Sequence, residues 1–252
     1  MKRRIVFISG ATSGIGKATA ELLADNNFNL ILAGRRLERL EDLSQRLGKK
    51  VDVKILNFDI REKQDIYTAI LGLPKEWQEI DVLINNAGNA HGLGPIHEGN
   101  LDDWDAMIDI NVKGLLYLSK YITPQMVERN TGHIVNIGSI AGKEVYPNGN
   151  VYCASKHAVD AISNGMRMDL NPYGIKVTAI NPGLVETEFS KVRFKGDEVR
   201  ANSVYQNYKP LQAQDIAETI LFVITRPAHV NVSDMVVFPT AQASSTIVYK
   251  KS

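Results

Sequence analysis

Short apolar runs alternate with amphipathic stretches along the whole chain. The apolar runs are typical of strands buried on both faces, and the stretches between them have helical spacing. The predicted strands are Ile5–Ser9, Asn29–Gly34, Asp52–Phe58, Val82–Asn85, His133–Ile137, Lys176–Asn181 and Met235–Phe238, and the predicted helices include Leu37–Leu47, Lys63–Leu71, Asp103–Glu128, Val151–Leu170 and Asp215–Ile224. This alternation predicts an α/β fold with one doubly wound parallel sheet and helices on both of its faces.

The composition narrows the class of protein. The 252 residues suit a single domain over residues 1–252, and the net charge of +1 argues against nucleic acid or an anionic membrane as a partner. No apolar stretch approaches the roughly 20 residues that a membrane-spanning helix needs. The single cysteine, Cys153, excludes an internal disulfide and fits a cytoplasmic location. The histidines have no ligand spacing with cysteines or carboxylates, so we expect no metal site.

A glycine-rich turn follows the first predicted strand and leads into a helix. Its sequence is Gly10-Ala-Thr-Ser-Gly14-Ile-Gly16, a spacing that differs from the usual dinucleotide fingerprint. We expect Gly10 to permit the tight turn, Gly14 to let the backbone approach a pyrophosphate, and Gly16 to permit close packing of helix on strand. The N–H groups at the helix N-terminus would bind phosphate. These parts predict a Rossmann-type dinucleotide site.

The candidate motifs follow the ends of different strands. In an open parallel sheet, ligands bind beyond the carboxyl ends of the strands. The residues that come just after a predicted strand are Gly10, Arg35, Asp59, Asn86, Ser139 and Pro182. We therefore expect them to converge on one crevice.

A tyrosine and a lysine form the candidate catalytic pair. Tyr152 and Lys156 are four residues apart, so a helix places them on one face. A lysine ammonium beside a phenol stabilises the phenolate, and we expect the pKa of Tyr152 to fall toward neutrality. Such a tyrosine exchanges protons at physiological pH. A tyrosine and a lysine at this spacing often occur by chance, and the glycine-rich turn at the start of the chain is what favours a catalytic role.

Together these motifs resemble the classical short-chain dehydrogenase/reductase family over nearly the whole chain. The matching positions, in the family's order, are Gly10 to Gly16, Asn85-Asn-Ala-Gly88, Asn111, Ser139, Tyr152, Lys156 and Asn181-Pro-Gly183. Ser9 departs from the family's usual threonine but keeps a hydroxyl. The resemblance implies reversible hydride transfer between a nicotinamide cofactor and a secondary alcohol or its carbonyl.

The resemblance also implies a role for each catalytic residue. Tyr152 is the acid/base, and Lys156 lowers its pKa and binds the nicotinamide ribose. Ser139 stabilises charge on the substrate oxygen. Asn111 holds a water that links Lys156 to solvent, or stabilises a helix bend, and both roles are compatible.

The expected cofactor contacts come from the ends of several predicted strands and from the candidate catalytic pair. The expected residues are Gly10, Thr12, Ser13, Gly14, Ile15, Gly16, Arg35, Arg36, Asp59, Ile60, Asn86, Ala87, Gly88, Tyr152, Lys156, Pro182, Gly183, Val185 and Thr187. Asp59 and Ile60 match the adenine position, and Thr187 matches the position that binds the nicotinamide carboxamide. The stretch 86–88 matches the adenosine ribose position.

The end of the second predicted strand discriminates between the two nicotinamide cofactors. An NAD site typically has an acidic residue there, whereas this chain has Arg35 and Arg36. A guanidinium pairs with a 2′-phosphate and a carboxylate repels it. We therefore predict NADP(H), with Arg35 as the first choice and Arg36 as the second. The alternative is that Arg36 and Arg39 are solvated helix charges.

Beyond Pro182-Gly183 the regular alternation stops, and residues 184–210 are expected to form a substrate lid. Several strings outside the catalytic motifs resemble a narrower subgroup, the NADP-dependent 3-hydroxy acid dehydrogenases. They are Gly34-Arg-Arg-Leu-Glu-Arg-Leu40, Leu73-Pro-Lys-Glu-Trp77, Val192-Arg-Phe-Lys-Gly-Asp197 and Pro227-Ala-His-Val-Asn231. This subgroup oxidises serine, allo-threonine and related acids such as 3-hydroxypropionate.

A small hydroxy acid needs a cation for its carboxylate. Arg193 and Lys195 are available on the predicted lid, and Arg193 is preferred because its fork matches a carboxylate. The alternative is that Arg193 is a solvated surface charge. The expected substrate-binding residues are thus Ser139, Tyr152 and Arg193.

Two other functions stay open. One is the reduction of a different carbonyl, in a 3-oxoacyl carrier protein, a sugar or a steroid. The other is a catalytically silent regulator that only binds the cofactor. The presence of Ser139, Tyr152 and Lys156 argues against the regulator, because binding alone needs only the glycine turn.

The family resemblance further implies a homotetramer. The helices near Asp103–Glu128 and Val151–Leu170 would pack against their mates in other subunits. The C-terminal tail, about residues 240–252, is apolar at Ile247, Val248 and Tyr249, and we expect it to dock on a neighbouring subunit. A monomeric mass in solution at micromolar concentration would contradict this assembly.

Overall fold

A sheet of seven parallel strands forms the centre of the molecule. The computed structural model describes residues 3–251, so Met1, Lys2 and Ser252, which the predicted domain and tail include, lie outside the described residues. The strands are β1 Ile5–Ser9, β2 Asn29–Gly34, β3 Val53–Asn57, β4 Val82–Asn85, β5 Gly132–Ile137, β6 Ile175–Pro182, β7 Val185–Glu186, β8 Leu211–Gln212 and β9 Asp234–Val237. The helices are α1 Gly14–Asp25, α2 Leu37–Leu47, α3 Lys63–Leu71, α4 Leu101–Ile108, α5 Leu115–Arg129, α6 Asn150–Leu170, α7 Phe189–Arg193, α8 Glu198–Ser203 and α9 Ala213–Ile224.

The strand order explains where a ligand can bind. The sheet runs β3-β2-β1-β4-β5-β6-β9, and all neighbouring strands are parallel. The chain therefore builds outward from β1 in one direction and from β4 in the other. This reversal opens a crevice at the carboxyl ends of β1 and β4. The predicted doubly wound α/β fold is confirmed.

Two apolar clusters hold the helices to the sheet, one on each face. Successive side chains of a strand point to opposite faces, and in β1 this assigns Val6 and Ile8 to one cluster and Ile5 and Phe7 to the other. All of these side chains are buried. Burial on both faces accounts for the nearly continuous apolar character of the strands.

The helix predicted over Asp103–Glu128 is present, but it is not a uniform α-helix. Asn100 begins α4, because its side chain accepts a hydrogen bond from the backbone N–H of Asp103 at 3.0 Å. A wider π-helical turn, Asp109–Gly114, then separates α4 from α5. The π turn carries Asn111, and its amide bonds to other elements of the fold. The apolar spacing continues through this turn, so the pattern alone did not reveal it.

The predicted lid contains regular structure. Within residues 184–210 lie β7, α7 and α8, and β7 pairs with β8 to form a small second sheet. We call residues 184–210 the lid segment. Val185, one of the predicted cofactor residues, pairs with Leu211 in this small sheet.

Among the described residues, neither a membrane-spanning helix nor a metal-binding cluster is found. No helix between residues 3 and 251 has both the length and the apolar character needed to cross a bilayer. Over the same residues, no group of three or more His, Cys, Asp or Glu side chains is placed to hold a metal ion.

A buried histidine joins β5 to β6. The Nε2 atom of His133 lies 2.8 Å from the hydroxyl of Thr178. That hydroxyl donates its only hydrogen to the carbonyl of Val232 at 2.7 Å, so Nε2 must carry the hydrogen that His133 donates. Burial, with the nearby charges of Lys176 and Arg4, lowers the pKa of His133 to about 3. The imidazole is therefore neutral in the folded protein.

We predict that His133 makes the fold sensitive to mild acid. The unfolded chain binds a proton at this histidine below about pH 6.5, whereas the folded chain does so only near pH 3. Stability should therefore fall by about 2 kcal/mol from pH 7 to pH 5 through this residue alone. Urea unfolding at both pH values measures the effect. His133→Leu should reduce the pH dependence by that amount, and an unchanged pH dependence in the variant would contradict the assignment.

Candidate active site

The glycine turn places α1 in direct contact with backbone. Gly10 has a φ of +67°, in the left-handed region that favours glycine. A side chain at Gly16 would put its Cβ 2.4 Å from the carbonyl oxygen of Gly10 and 2.5 Å from Nδ2 of Asn86. No side chain fits there, so the start of α1 approaches the turn as closely as backbone allows. This agrees with the packing role expected of Gly16.

Ser9 and Asn86 tie this turn to the end of β4. The Ser9 hydroxyl accepts hydrogen bonds from the backbone N–H groups of Asn86 at 3.1 Å and Ala87 at 3.0 Å. In return, Nδ2 of Asn86 donates to the carbonyls of Ser9 at 2.9 Å and Gly10 at 3.2 Å. The two strand ends that border the crevice are thus joined by hydrogen bonds. The Asn86 side chain holds the turn, and the ribose contact expected of this stretch stays a prediction.

The N-terminus of α1 is suited to an external anion. The first turn of the helix contains no acidic residue. Ser13 precedes the helix, and its hydroxyl accepts a hydrogen bond from Arg36 at 2.7 Å instead of capping the helix. The helix N–H groups and the positive end of the helix dipole therefore face the turn. Together with the space left by the glycines, this cradle fits the pyrophosphate of a dinucleotide.

The two candidate arginines for a 2′-phosphate have different surroundings. Arg36 donates to the Thr12 hydroxyl from Nε at 3.0 Å and from Nη2 at 2.8 Å, which places it on the glycine turn. Arg35 instead lies 3.5 Å from Asp59, a carboxylate that Arg61 also binds at 2.8 Å. The geometry therefore favours Arg36, the second choice from sequence. Asp59 is paired with arginines at the position where an adenine contact was expected.

Tyr152 and Ser139 come together at the carboxyl edge of the sheet. Ser139 follows β5, and its hydroxyl accepts the backbone N–H of Ala141 at 3.1 Å. The same hydroxyl is a hydrogen-bond partner of the Tyr152 phenol. The Tyr152 ring is buried and packs against Phe189 of the lid segment, with 5.7 Å between ring centres. The two side chains are therefore neighbours at this edge of the sheet, and their catalytic roles stay a prediction.

The expected direction of the Tyr152 pKa is wrong. Burial raises the pKa of the phenol well above its usual value, although the hydrogen bond to Ser139 and the charge of Arg193 act in the opposite direction. The Lys156 ammonium donates to the carbonyl of Ile137 at 2.9 Å. Burial lowers the pKa of Lys156 to about 8. Desolvation, which sequence spacing does not reveal, is the largest cause of both shifts.

Gly88 has no side chain, and this leaves room for Lys156 and Asn111 beside the same stretch of backbone. A Cβ at Gly88 would stand 3.4 Å from Nζ of Lys156 and 3.2 Å from Oδ1 of Asn111. The buried ammonium and amide are therefore both next to the backbone that follows β4. Glycine at this position leaves them the room to approach it.

The hydrogen bonds of Asn111 match one of the two roles expected from the sequence, the stabilisation of a helix bend. Its Nδ2 donates to the carbonyl of Asn89 at 2.9 Å and to the Ser155 hydroxyl at 3.0 Å, and its Oδ1 accepts the backbone N–H of Asn89 at 2.8 Å. These bonds connect the π-helical turn to the β4 loop and to α6. They agree with stabilisation of a helix bend, and the water that would link Lys156 to solvent stays a prediction.

The start of the lid segment lies next to the glycine turn. A Cβ at Gly14 would lie 3.3 Å from the Thr187 side chain. Pro182 ends β6, and Gly183 follows with its N–H bonded to the carbonyl of Val237 at 2.8 Å. Thr187 therefore lies beside the phosphate cradle, and its expected carboxamide contact stays a prediction.

A cavity of about 270 Å³ opens beside Tyr152, bounded by the loop after β4, by α4, by the start of α6 and by Arg193. The guanidinium of Arg193 lies 5.3 Å from the centre of the Tyr152 ring. Its Nη2 donates to the Tyr146 hydroxyl at 2.7 Å, and its Nε donates to the Gly92 carbonyl at 3.3 Å. Lys195, the other cation considered, is paired with Asp103 at 2.9 Å. Arg193 is thus the lid cation next to the candidate catalytic tyrosine.

Sequence reasoning missed several residues of this site. They are Tyr146, His91, Glu188 and Gln242. Tyr146 and His91 lie in loops without periodic spacing, so no pattern marked them. Glu188 faces arginines that are far away in sequence. A search for carboxylates able to pair with Arg36 could have raised Glu188 as a candidate.

The C-terminal tail supports the start of the lid segment. Gln242 is buried, and its Oε1 accepts the backbone N–H of Leu184 at 2.8 Å. Farther along, the N–H of Ser245 donates to Glu144 at 2.7 Å. The tail therefore packs on its own chain through these residues. Ile247 and Tyr249 remain 63% and 72% exposed, and their docking on a neighbouring subunit stays a prediction.

Comparisons with known proteins agree with this geometry. The family model described as short chain dehydrogenase matches residues 4–198. The chain is 44% identical to NADP-dependent 3-hydroxy acid dehydrogenase YdfG of Salmonella typhi, over 98% of this chain and 100% of that protein. It is 43% identical to sulfoacetaldehyde reductase 2 of Chromohalobacter salexigens, over 96% of each chain. A solved structure of the closed form of serine dehydrogenase complexed with NADP+ is 42% identical, with a TM-score of 0.92 and coverage of 98% of this chain and 100% of the other.

We predict that Gly16→Ala disrupts the cradle. The added methyl group would meet the Gly10 carbonyl and the Asn86 amide, which the hydrogen bonds of Asn86 hold in place. We expect a loss of about 1–3 kcal/mol in the free energy of unfolding, typical of overpacking. Denaturant unfolding measures it.

The matched control is Gly94→Ala, because a Cβ at Gly94 meets no atom within 4 Å. That variant should stay within about 1 kcal/mol of the wild type. Equal stability of both variants would contradict the close approach at Gly16.

Proposed function

The chain belongs to the short-chain dehydrogenase family, and we propose that it interconverts small 3-hydroxy acids and their 3-oxo forms with NADP(H). Membership of this family makes it an oxidoreductase that acts on CH–OH groups. The finer proposal concerns the cofactor, the substrate and the residue that handles the proton.

The position of Arg193 is the observation that carries the substrate proposal. A guanidinium fork borders the cavity beside Tyr152, and the Tyr146 hydroxyl is bonded to it. A fork of this kind binds a carboxylate through two parallel hydrogen bonds. A hydroxyl on the carbon β to that carboxylate would then lie closer to Tyr152 and Ser139. The relatives named as 3-hydroxy acid dehydrogenase and serine dehydrogenase support the same class of substrate.

The cofactor proposal follows from the cradle and its arginine. The free N-terminus of α1 suits a pyrophosphate, and Arg36 lies on the same turn, where a 2′-phosphate could reach it. A relative named as NADP-dependent and a similar structure solved with NADP+ support this choice. When bound, NADP(H) supplies or accepts the hydride. The glycine turn, Arg36 and the β4 loop would hold it.

The buried phenol carries the proton that reduction needs, but its raised pKa makes it a weak acid unless nearby cations stabilise the phenolate. Because burial raises the pKa of Tyr152, the phenol keeps its proton at neutral pH. During reduction, Tyr152 would give that proton to the carbonyl oxygen of the substrate as the hydride reaches the carbon. Ser139, whose oxygen accepts the N–H of Ala141, would turn its own hydrogen from the Tyr152 phenol to the same substrate oxygen. In the oxidative direction, Tyr152 would take the proton back.

Nearby cations would support the transient phenolate. The charge of Arg193 already acts to lower the pKa of Tyr152, against the larger effect of burial. Lys156 is one helical turn away on α6 and holds a proton at neutral pH, since its pKa is about 8. Its positive charge would favour the phenolate that exists between proton donation and recovery.

Other substrates stay open as alternatives. A relative named as sulfoacetaldehyde reductase indicates that a sulfonate is a second anion to test, because Arg193 would also pair with it. A 3-oxoacyl carrier protein, a sugar or a steroid lacks the small anionic group that this cavity suits, and a silent regulator would not need Tyr152 and Ser139 together.

The tetramer and the cytoplasmic location stay predictions. Leu116 on α5 and Met168 on α6 are exposed apolar side chains, and they lie on the helices expected to meet across subunits. Burial of such side chains in an interface would favour association.

We predict that Tyr152→Phe lowers turnover by about 10²- to 10⁴-fold, because the ring keeps its shape and loses its transferable proton. NADPH binding should stay within about threefold of wild type, since the phenol is not part of the phosphate cradle. Steady-state kinetics and fluorescence titration of NADPH measure the two effects. Near-normal turnover would remove Tyr152 as the proton donor.

We predict that the wild type prefers small acids and that Arg193 sets this preference. Activity would be followed by NADPH absorbance with serine, 3-hydroxypropionate, malonic semialdehyde, sulfoacetaldehyde and a neutral ketone. Arg193→Ala should raise KM for the anionic substrates by about 10- to 100-fold, the effect of losing a charged hydrogen bond. KM for the neutral ketone should change little.

The matched control for this test is Arg200→Ala. Arg200 is on the same lid segment, and its guanidinium stacks on Phe194 at 4.6 Å. That variant should leave KM for the acids near the wild-type value. Equal losses for anionic and neutral substrates in Arg193→Ala would remove the carboxylate assignment.

A further inference from the structure

A carboxylate and a lysine form an ion pair at the border of the substrate cavity. Asp103 lines the cavity beside Tyr152, and its side chain is only 17% exposed. Its Oδ2 lies 2.9 Å from Nζ of Lys195, a side chain of the lid segment that is 60% exposed. The ion pair therefore connects the first turn of α4 to the lid segment. It also neutralises a carboxylate that the cavity would otherwise present to a substrate.

The backbone of Gly92 brings this ion pair close to Arg193. The carbonyl of Gly92 accepts a hydrogen bond from Nε of Arg193 at 3.3 Å, and its N–H donates to the carbonyl of Arg193 at 2.9 Å. A Cβ on Gly92 would stand 3.5 Å from Oδ2 of Asp103. The guanidinium proposed to bind the substrate and the carboxylate of Asp103 therefore lie next to the same residue of the loop after β4.

The lysine of the pair has an unusual backbone conformation. Lys195 has a φ of +52°, in the left-handed region that favours glycine. Its N–H donates to the carbonyl of Val192 at 3.1 Å, at the end of α7. Backbone strain of this kind persists where the surrounding structure fixes it, and it is found at functional sites. A lysine where glycine would be less strained indicates that its side chain contributes something, and the contact it makes is with Asp103.

A histidine and a glutamate also line the cavity, and neither offsets the charge of Arg193 there. Burial lowers the pKa of His91 below its usual value, so the imidazole is neutral at pH 7. The side chain of Glu98 is 67% exposed, and water and salt screen its charge. With Asp103 neutralised by Lys195, the guanidinium of Arg193 is the dominant charge that a substrate meets.

This balance of charge distinguishes two acids that differ by a single group. At neutral pH, 3-hydroxypropionate carries one carboxylate, and serine is the same acid with an ammonium on the carbon next to that carboxylate. If Arg193 binds the carboxylate, the ammonium lies close to the guanidinium and is repelled by it. A carboxylate already paired with Lys195 offers the ammonium little attraction in return.

We propose that Asp103 and Lys195 are a specificity-determining pair that disfavours an α-ammonium, so that the site favours 3-hydroxy acids without one. This proposal rests on the proposed function, in which Arg193 binds the carboxylate of the substrate. Loss of the charge on Lys195 would expose Asp103 to the ammonium. Loss of the charge on Asp103 would leave Lys195 to repel it. The two changes should therefore shift the substrate preference in opposite directions.

The test compares serine with 3-hydroxypropionate as substrates of the full-length enzyme with NADP+ at neutral pH. NADPH absorbance gives kcat/KM for each acid, and the ratio of the two values does not depend on how much of a variant is folded. The wild type should have the higher kcat/KM for 3-hydroxypropionate. Lys195→Gln should shift the ratio toward serine by about two- to fivefold, and Asp103→Asn should shift it away from serine by a similar factor. The double variant should return close to the wild-type ratio, because the pair is neutral again.

Lys191→Gln is the matched control. Lys191 is on the same lid segment, is 52% exposed and pairs with Glu198 at 2.9 Å. The variant therefore removes an equal charge from an ion pair outside the residues that line the cavity. Its ratio should equal that of the wild type. An equal shift in Lys191→Gln and Lys195→Gln would reduce the effect to net charge and overturn the proposal.

The outcomes separate this pair from the proposed function. If the wild type oxidises neither acid, the proposed function fails and the pair has no preference to set. If the wild type oxidises 3-hydroxypropionate but prefers serine, or if the two single variants leave the ratio unchanged or shift it in the same direction, the function stands and the specificity pair is overturned. An unchanged ratio would mean that the ion pair only holds the lid segment to α4.

Discussion

The close approach of α1 to the glycine turn is the constraint on which the site depends. Backbone meets backbone where Gly16 faces Gly10, and Asn86 fills the remaining space with an amide that bonds to the turn. The same amide joins the turn after β1 to the loop after β4. The N-terminus of α1 and the loop that carries Gly88 next to Lys156 are therefore attached to one another through Asn86.

Burial has the strongest effect on the chemistry within that crevice. It moves the pKa of Tyr152 up and that of Lys156 down, so both shifts favour the uncharged forms of the two groups. The phenol is therefore protonated at neutral pH. A solvent-exposed pair with the same spacing would lack these desolvation shifts, and strongly shifted pKa values are often found at functional sites.

Local pattern predicted most of the sheet, and motif order predicted the family. The bounds of β1, β2, β4, α2 and α3 agree residue for residue with the apolar runs, because burial on both faces leaves a strong signal. The π-helical turn was not predictable, since the apolar spacing continues through it while Asn111 bonds to segments distant in the sequence. The pKa of Tyr152 depends on how deeply the ring is buried, and the ion pairs of Glu188 involve arginines about 150 residues earlier in the chain. Such properties arise only from the assembled fold.

The buried contact between Gln242 and Leu184 has a consequence for how such an enzyme can diversify. The residue that supports the beginning of the lid segment belongs to the tail and is not one of the groups proposed to handle a proton. Substitutions in the tail can therefore tilt the segment that carries Arg193 while the reacting groups stay in place. Substitutions in the C-terminal tail could in this way change which substrates are accepted and leave the reacting groups unchanged.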